Sequence, residues 1–136
     1  MNIKIIIQEK IQKSFIKQGM EEYEKRLSKY CKINYIPLKK LEDLNKYIKE
    51  KTYFIMVRSG EKMISSECFA QKFQKWGLTG KSDIIFFITS QDVFFQPAHD
   101  YLSITSMDVD MELTTLILYE QIYRAFTILH HLPYHK

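Results

Sequence analysis

The C-terminal end of the chain combines three residue types that can do chemistry. An apolar segment stops at Pro133, and Tyr134, His135 and Lys136 follow it directly. These side chains supply a phenol, an imidazole and an ammonium group, which together offer hydrogen-bond donors, acceptors and a positive charge. Chain ends usually fray and carry no function. The composition of this end instead predicts a tail that is held in place.

Other familiar chemical motifs do not occur in the sequence. His130, His131 and His135 lie close together, but neither cysteine is near them and no HExxH or CxxC spacing exists. Metal binding is therefore not expected. A Walker loop and a GxGxxG segment are also missing. Cys68, inside an apolar helical pattern, is interpreted as a small core residue rather than a nucleophile.

Strand patterns and helix patterns alternate along the chain. The alternation indicates an α/β fold with a mostly parallel sheet, and 136 residues without repeats or a linker predict a single domain over 1–136. Short apolar runs predict strands over residues 3–7, 32–38, 53–57, 83–89 and 102–104. Helical spacing predicts helices after Ser14 to about Tyr30, over 41–48, from the N-cap Ser65 through Trp76 to an end at Gly77, and over 111–131.

Charge is distributed unevenly along the sequence. Residues 1–81 contain 18 Lys and Arg against 9 Asp and Glu, whereas residues 82–136 contain 2 against 7. The basic portion suits a phosphate backbone, but from charge alone lysines on solvated helix faces are the favoured explanation. No apolar run is long enough to span a membrane, and no signal-peptide cleavage region follows Met1. With two cysteines, Cys31 and Cys68, we expect a soluble cytoplasmic protein with reduced thiols.

The last predicted helix is apolar around most of its circumference. A helix of this kind is buried on more than one side. In a domain of this size a second subunit is the expected cover, which predicts a homodimer. The apolar residues are Leu113, Leu116, Ile117, Leu118, Ile122, Tyr123, Phe126, Ile128 and Leu129.

Five short segments occur in an order that is more specific than any one of them. They are EYEKRL at residues 22–27, KMISSECFA at 62–70, LSITSM at 102–107, EQIYRAF at 120–126 and the PYHK ending at 133–136. In this order they resemble the EYxKRL, KxxSSExFA, LSxSxM, EQxYRAF and terminal segments of the bacterial RlmH family. These are SPOUT-class methyltransferases that modify a pseudouridine of large-subunit ribosomal RNA. The resemblance spans the whole chain.

The resemblance implies a SPOUT-type α/β fold, with a mostly parallel sheet, helices on both faces and a C-terminal trefoil knot. It also implies a homodimer that binds S-adenosylmethionine in the knot and acts on ribosomal RNA or the ribosome. Tyr134, His135 and Lys136 would hold the RNA base or assist its deprotonation across the dimer, or else only cover the dimer interface. By position, the implied cofactor contacts are Val57, Thr89, Leu102, Ser103, Ile104, Thr105, Ser106 and Met107.

The sequence departs from the family pattern at the expected cofactor turn. Where the family has an Ile-Gly-Gly-Ser-x-Gly turn, residues 88–93 read ITSQDV and contain no glycine. Thr89 is β-branched, and such a residue is poorly tolerated at positive φ. If the backbone follows the family it must be strained here, and if it relaxes the turn moves and the pocket narrows.

A second departure lies before the last helix. The family's TFPHxxxR stretch becomes DVDMELTT at residues 108–115, which places Met111 and Thr115 at the histidine and arginine positions. Acids in this stretch oppose an RNA phosphate path. An alternative is that Asp108 or Asp110 serves as the N-cap of the helix.

Two hypotheses follow. The first is an enzyme that transfers a methyl group from S-adenosylmethionine to a ring nitrogen of pseudouridine in large-subunit ribosomal RNA. The second is a non-catalytic relative that keeps the fold and the dimer and binds RNA or the ribosome, or partners an intact family member. The departures predict weak or absent S-adenosylmethionine binding and no detectable methylation of ribosomes by this chain alone.

Overall fold

The computed structural model describes residues 1–89 and 98–136. Each described strand lies within two residues of its predicted range, because short apolar runs bounded by polar residues mark these strands clearly. The elements, in chain order, are β1 (Asn2–Ile7), α1 (Ser14–Leu27), β2 (Lys32–Pro37), a 3-10 helix (Leu41–Lys46), β3 (Tyr53–Arg58), α2 (Ser66–Leu78), β4 (Asp83–Ile88), β5 (Asp100–Ser103) and α3 (Met111–Leu129).

The five strands form one parallel sheet in the order β2-β1-β4-β3-β5. Strand β4 lies at its centre, and every residue from Ile84 to Ile88 is buried. A strand that is covered on both faces must be apolar throughout, which explains the continuous run that the sequence shows there. The predicted α/β class with a parallel sheet is confirmed.

Helical elements cover both faces of the sheet, but unevenly. Successive strand residues point to opposite faces, and each face carries its own core. One core contains Ile5 and Phe86 and packs against α1, α2 and α3. The other contains Ile6 and Phe87 and packs against the 3-10 helix through Leu44.

The direction of each connection explains this distribution. The chain crosses the sheet in the same direction from β1 to β2 and from β3 to β4, and α1 and α2 lie on the same face. It crosses in the opposite direction from β2 to β3, and the 3-10 helix lies on the other face. Because crossovers between parallel strands are right-handed, opposite directions require opposite faces. The trefoil knot stays a prediction, since residues 90–97, between β4 and β5, lie outside the described residues.

The segment predicted as a helix over 41–48 is a short 3-10 helix instead, Leu41–Lys46. Leu44 is its buried residue, and the N–H of Tyr47 donates to the Leu44 carbonyl at 3.0 Å. Leu41, Tyr47 and Ile48 pack against the same core but are only partly buried. The apolar pattern thus marks a real contact with the sheet, but the helix that makes it is a short 3-10 helix rather than an α-helix.

Helix α2 begins as predicted and ends slightly later. Ser65 is its N-cap, and its Oγ accepts a hydrogen bond from the N–H of Cys68 at 3.1 Å. Gly77 lies inside the helix, and Gly80, with φ of +76°, terminates it. The N–H of Lys81 then donates to the Trp76 carbonyl at 2.8 Å. This is a Schellman motif, in which glycine adopts the left-handed conformation without strain.

Cys68 is exposed on α2, so its interpretation as a core residue is wrong.

Helix α3 packs against both α1 and α2, and its inner residues Leu118, Tyr119 and Ile122 are fully buried. Part of its apolar circumference is therefore covered within the chain itself. In the described residues, neither α3 nor another helix is long and apolar enough to cross a membrane.

Candidate active site

The residues predicted to contact a cofactor lie at one edge of the sheet. Val57, near the end of β3, is in register with Ile88 of β4 on one side and with Leu102 of β5 on the other. Because these strands are parallel, their carboxyl ends meet at the same edge, where ligands of open α/β sheets bind. Thr89 directly follows β4, and residues 102–107 contain the end of β5 and the loop after it. The structure thus brings these predicted residues together.

The loops after β3 and β5 are joined by hydrogen bonds. The N–H of Gly60 donates to the Thr105 carbonyl at 2.8 Å. The Ser103 hydroxyl accepts from the N–H of Glu61 at 3.2 Å and donates to the Thr105 carbonyl at 3.0 Å. Gly60 has φ of +82°, a conformation that side chains rarely tolerate, so a glycine is required at this turn. The joined loops separate two cavities.

The first cavity, of about 360 Å³, lies between the end of β4, the loop after β3 and the start of α3. Small-molecule sites have volumes of roughly 300–1,000 Å³. Its walls combine the carboxylates of Glu61 and Asp108 with apolar side chains such as Met111. Among the described residues, the lining consists of Arg58, Ser59, Gly60, Glu61, Ile88, Thr89, Asp108, Val109, Met111 and Thr114.

The second cavity is smaller, about 230 Å³, and lies between the end of β5 and the start of α2. The predicted cofactor residues are therefore divided, because Thr89 lines the first cavity whereas Leu102, Ser103 and Ile104 line the second. Val57 is fully buried between its neighbouring strands. The full lining of the second cavity consists of Met63, Ile64, Ser65, Ser66, Phe69, Leu102, Ser103, Ile104 and Gln121.

Thr89 fits its position without the strain that the sequence raised as a possibility. Among the described residues, His131 is the one non-glycine residue with a positive φ, so Thr89 adopts an ordinary backbone conformation. Its side chain is 4% exposed, and its hydroxyl donates to Gln8 Oε1 at 2.9 Å. This bond ties the end of β4 to the end of β1. The rest of the glycine-free turn, residues 90–93, lies outside the described residues.

Two of the acids before and in α3 have structural partners. Asp110 is the N-cap of α3, where its carboxylate accepts from the N–H of Leu113 at 2.9 Å and pairs with Lys13 at 3.1 Å. The hydrogen bond from the N–H of Leu113 is the main reason why the pKa of Asp110 is lowered. Glu112 Oε1 accepts from the N–H groups of Gln12 and Lys13, at 3.1 and 2.9 Å, at the start of α1. The predicted N-cap is confirmed, and Asp108 is the acid of this stretch that lines the first cavity.

Met111 and Thr115, at the positions where the family has histidine and arginine, differ in their access to the first cavity. Met111 lines the first cavity. Thr115 is fully buried, and its hydroxyl donates to the Met111 carbonyl at 2.8 Å. A substrate therefore has no access to Thr115, and this side chain cannot replace a cation.

Tyr134 is fixed against α3. Its hydroxyl donates to Glu120 Oε1 at 3.0 Å, and its ring meets the edge of the Tyr123 ring with the centroids 4.8 Å apart. Burial, followed by hydrogen bonds with Tyr23 and Glu120, raises the pKa of Tyr134. The phenol therefore stays protonated at neutral pH and does not serve as a base.

Glu120 and Arg124 form an ion pair on one turn of α3. Glu120 Oε1 lies 2.5 Å from Arg124 Nη2 and 3.0 Å from Arg124 Nε. Both side chains are about three-quarters buried, with 19% and 26% exposed. The hydrogen bond that Arg124 donates to Glu120 is the main cause that raises the pKa of Arg124, so the guanidinium remains charged.

His135 connects this ion pair to α2. Its Nδ1 lies 2.9 Å from Arg124 Nη1, and its Nε2 lies 2.6 Å from Glu67 Oε1. The hydrogen bond with His135 is the main cause that lowers the pKa of Glu67. The prediction that the tail is held in place is confirmed for Tyr134 and His135, whereas Lys136 is exposed.

Gln121 closes the arrangement into a ring. Its Nε2 donates to Glu120 Oε2 at 2.8 Å, and its Oε1 accepts from the Ser66 hydroxyl at 2.7 Å. Ser66 is next to Glu67 in the chain, so the hydrogen bonds return to the first turn of α2. We call this ring the tail network, and its members are Ser66, Glu67, Glu120, Gln121, Arg124, Tyr134 and His135.

The sequence interpretation named the tail but missed the four residues that hold it. Glu67, Glu120, Gln121 and Arg124 all lie inside the segments that carry the family resemblance. Their polarity could have indicated them, because each is a polar or charged residue in a helix with a buried face. Across the two described parts of the chain, no group of three or more His, Cys, Asp and Glu side chains is placed to hold a metal ion.

Fold and site together match one class of protein. A family model described as "Predicted SPOUT methyltransferase" covers residues 1–135. The chain belongs to the SPOUT methyltransferase family, and its resemblance to RlmH is confirmed by the relatives that follow.

The chain is 34% identical, over the whole of both proteins, to Ribosomal RNA large subunit methyltransferase H 1 of Thermoanaerobacter sp. (strain X514). It is 38% identical, again over the whole of both, to Ribosomal RNA large subunit methyltransferase H of Clostridium botulinum (strain Hall / ATCC 3502 / NCTC 13319 / Type A). For the enzyme of that name from Latilactobacillus sakei subsp. sakei (strain 23K) the identity is 35%, with both proteins fully covered. The last two alignments extend over 160 and 159 positions, so they include segments that this chain of 136 residues lacks.

The structural role of Glu112 generates a stability prediction. We expect Glu112→Ala to lower the free energy of unfolding by about 1 kcal/mol, because it leaves two N–H groups at the start of α1 without their acceptor. Asp108→Ala is the matched control, since its hydrogen bond with the Ser59 hydroxyl is long, 3.5 Å. It should change stability by less than about 0.5 kcal/mol. Urea unfolding followed by circular dichroism measures both, and equal losses would contradict the assigned role.

Proposed function

We propose that this chain transfers a methyl group from S-adenosylmethionine to a pseudouridine ring nitrogen of large-subunit ribosomal RNA. The observation that carries the proposal is the meeting of Val57, Thr89 and residues 102–107 at one sheet edge, beside a cavity of suitable size. The family match over nearly the whole chain supports the reaction class. The names of the relatives support ribosomal RNA as the substrate, and action on ribosomes implies a cytoplasmic protein.

The first cavity fits the chemistry of the cofactor. When bound, S-adenosylmethionine supplies an electrophilic methyl group on a positively charged sulfur. Asp108 offers a carboxylate that complements positive charge, whereas Ile88, Val109 and Met111 offer apolar contacts. The second carboxylate of the wall, Glu61, is paired with Arg58 at 3.6 Å. The second cavity, at about 230 Å³, lies below the usual size of such sites, roughly 300–1,000 Å³. We therefore place the cofactor in the first cavity, where Thr89 is part of the lining. The loop 102–107 lies behind the Gly60 wall of this cavity and is joined to it through the Thr105 carbonyl.

The protein's own contribution is to position the acceptor. Methyl transfer requires the acceptor nitrogen to be held in line with the methyl group, and such positioning supplies much of the rate. The exposed Lys136 and the edges of the tail network are available to contact the RNA base. Tyr134 donates its one hydroxyl proton to Glu120, and with its raised pKa it would not act as a base, so its role would be to fix the tail.

The alternative, a non-catalytic module that binds RNA or the ribosome, is favoured by one observation. The buried Thr89 side chain stands where the family has glycine, so backbone cannot approach a cofactor as closely there. Two other grounds for weak binding are reduced. Thr89 is not strained, and a cavity of about 360 Å³ remains open beside it. Asp110 and Glu112 are used in local contacts. We therefore expect cofactor binding, in place of the weak or absent binding that the sequence departures predicted.

A homodimer is part of the proposal. Leu113, Ile117 and Gln121 are spaced by four residues and therefore share one side of α3, and Leu113 is 40% exposed. Gln121 also lines the second cavity together with the exposed Met63 and Ile64. These residues form a continuous, largely apolar surface beside the tail network. A second copy that covers it would bring its own sheet edge close to this tail.

Binding of the cofactor tests the first hypothesis against the second. In calorimetry we expect S-adenosylmethionine to bind the unmodified protein with micromolar affinity, and tritiated methyl groups to be incorporated into ribosomal RNA. Met111→Trp should abolish binding, because the larger ring fills the first cavity. Ile64→Trp, which places the same ring in the second cavity, is the control and should bind normally. Absence of binding at millimolar cofactor would favour the non-catalytic module.

Light scattering tests the proposed dimer. We expect a dimer at micromolar protein concentration, and Leu113→Asp should convert it to a monomer because a charge would be buried at the interface. The matched control is Leu78→Asp at the end of α2, where the leucine is 83% exposed. This control should remain dimeric. A monomeric unmodified protein, or a dimer unaffected by Leu113→Asp, would contradict the assignment of this surface.

A further inference from the structure

The tail network determines which ring nitrogen of His135 carries a proton. A guanidinium group has only donors. Since Arg124 Nη1 lies 2.9 Å from Nδ1 of His135, that nitrogen must accept and cannot be protonated. In a neutral imidazole the proton is then on Nε2, which lies 2.6 Å from Glu67 Oε1 and donates to this carboxylate. The two contacts agree, because a carboxylate accepts and cannot donate when ionised.

A ring protonated on Nδ1 does not fit this geometry. The Nδ1 proton would face an N–H of Arg124 at 2.9 Å, so that two donors would oppose one another. The groups that face the ring are Arg124 from α3 and Glu67 from α2, and Glu120 and Tyr134 lie behind Arg124.

Arg124 cannot turn away easily, because three other contacts hold it. Nε and Nη2 both bind Glu120 Oε1, at 3.0 and 2.5 Å. Its guanidinium carbon lies 5.0 Å from the centroid of the Tyr134 ring. Glu120 is in turn fixed by Gln121 through its other oxygen, at 2.8 Å. The donor that faces His135 therefore has a set direction.

We propose that Arg124 and Glu67 are positioning residues that hold His135 as the neutral tautomer protonated on Nε2 and thereby fix the tail for the methyl acceptor. Both ring nitrogens are occupied in this state, so His135 is not the proton acceptor for the RNA base while the network is intact. The tail acts through its position instead. This role rests on the proposed methyl transfer, whereas the tautomer itself does not.

The tautomer is measured directly by a long-range ¹H–¹⁵N correlation spectrum of protein labelled with ¹⁵N in histidine. The His135 signals are identified by their loss in His135→Gln. We expect one protonated and one unprotonated ring nitrogen, with the proton on Nε2. A ring protonated on Nδ1, a doubly protonated ring or rapid averaging between tautomers at neutral pH would overturn the proposal. Since no RNA or cofactor is present, the result is independent of the proposed function.

Variants of Arg124 and Glu67 test whether the His135 tautomer affects the rate of methyl transfer. Arg124→Met should release His135 into averaged tautomers and lower kcat for ribosome methylation by about 10- to 100-fold, since a misplaced reacting group costs this much. The dissociation constant of S-adenosylmethionine should not change. Glu67→Gln keeps an acceptor for Nε2 and should preserve the tautomer and most of the turnover. Arg124→Lys keeps the charge but loses the fork that binds Glu120, so its effects should lie between those of Arg124→Met and the unmodified protein.

The control is Lys46→Met. Lys46 also pairs with an acid on its own helical turn, Asp43, at 3.1 Å, but in the 3-10 helix on the other face of the sheet. It should leave the His135 spectrum and kcat unchanged. The positioning role is overturned if Arg124→Met leaves both unchanged, or if Lys46→Met reproduces its effects. If the unmodified protein methylates no RNA, the proposed function fails, and the spectrum alone then decides whether Arg124 and Glu67 fix His135.

Discussion

The parallel alignment of β3 between β4 and β5 is the constraint on which the candidate site depends. Val57 is in register with Ile88 and with Leu102, so three chain segments that are far apart in sequence leave the sheet at the same edge. The Gly60 and Ser103 hydrogen bonds then fix two of the loops to one another. An antiparallel β5 would place residues 102–107 at the opposite edge and leave no common site.

The second organising feature is the tail network, which joins three parts of the chain that the sheet does not connect. The first turn of α2, the middle of α3 and the tail meet through hydrogen bonds that share the Glu120 carboxylate and the Arg124 guanidinium. Glu120 and Arg124 are largely buried, and buried polar groups are stable only when their partners are in place, whereas Glu67 is exposed. The buried part of the network therefore fixes Tyr134 and His135 together. The family segments SSE, EQxYR and YH, which look unrelated in sequence, thus have one common structural purpose.

Much of the fold could be predicted from the sequence. Continuous apolar runs such as residues 83–88 identify buried strands, and the alternation with helices identifies the parallel sheet. The N-caps Ser65 and Asp110 could also be predicted, because capping is a local property of a few neighbouring residues.

Other features depend on contacts between distant residues and left no readable pattern. The 3-10 helix replaced a predicted helix, because the burial of Leu44 within one turn is decided by the opposite face of the sheet. The exposure of Cys68 depends on the rotation of α2 against the sheet. The same is true of the candidate site. The family resemblance named residues that lie at one edge of the sheet. Neither their division between two cavities nor the partners of Glu112, Glu120 and Arg124 could be inferred.

A crystal structure of the protein with S-adenosylhomocysteine, the demethylated form of the cofactor, tests the central claim most directly. The account predicts that the ligand lies in the first cavity, between residues 58–61 and 108–111, with Thr89 at its border and with the tail network intact. A ligand in the second cavity, or no bound ligand at saturating concentration, would contradict it.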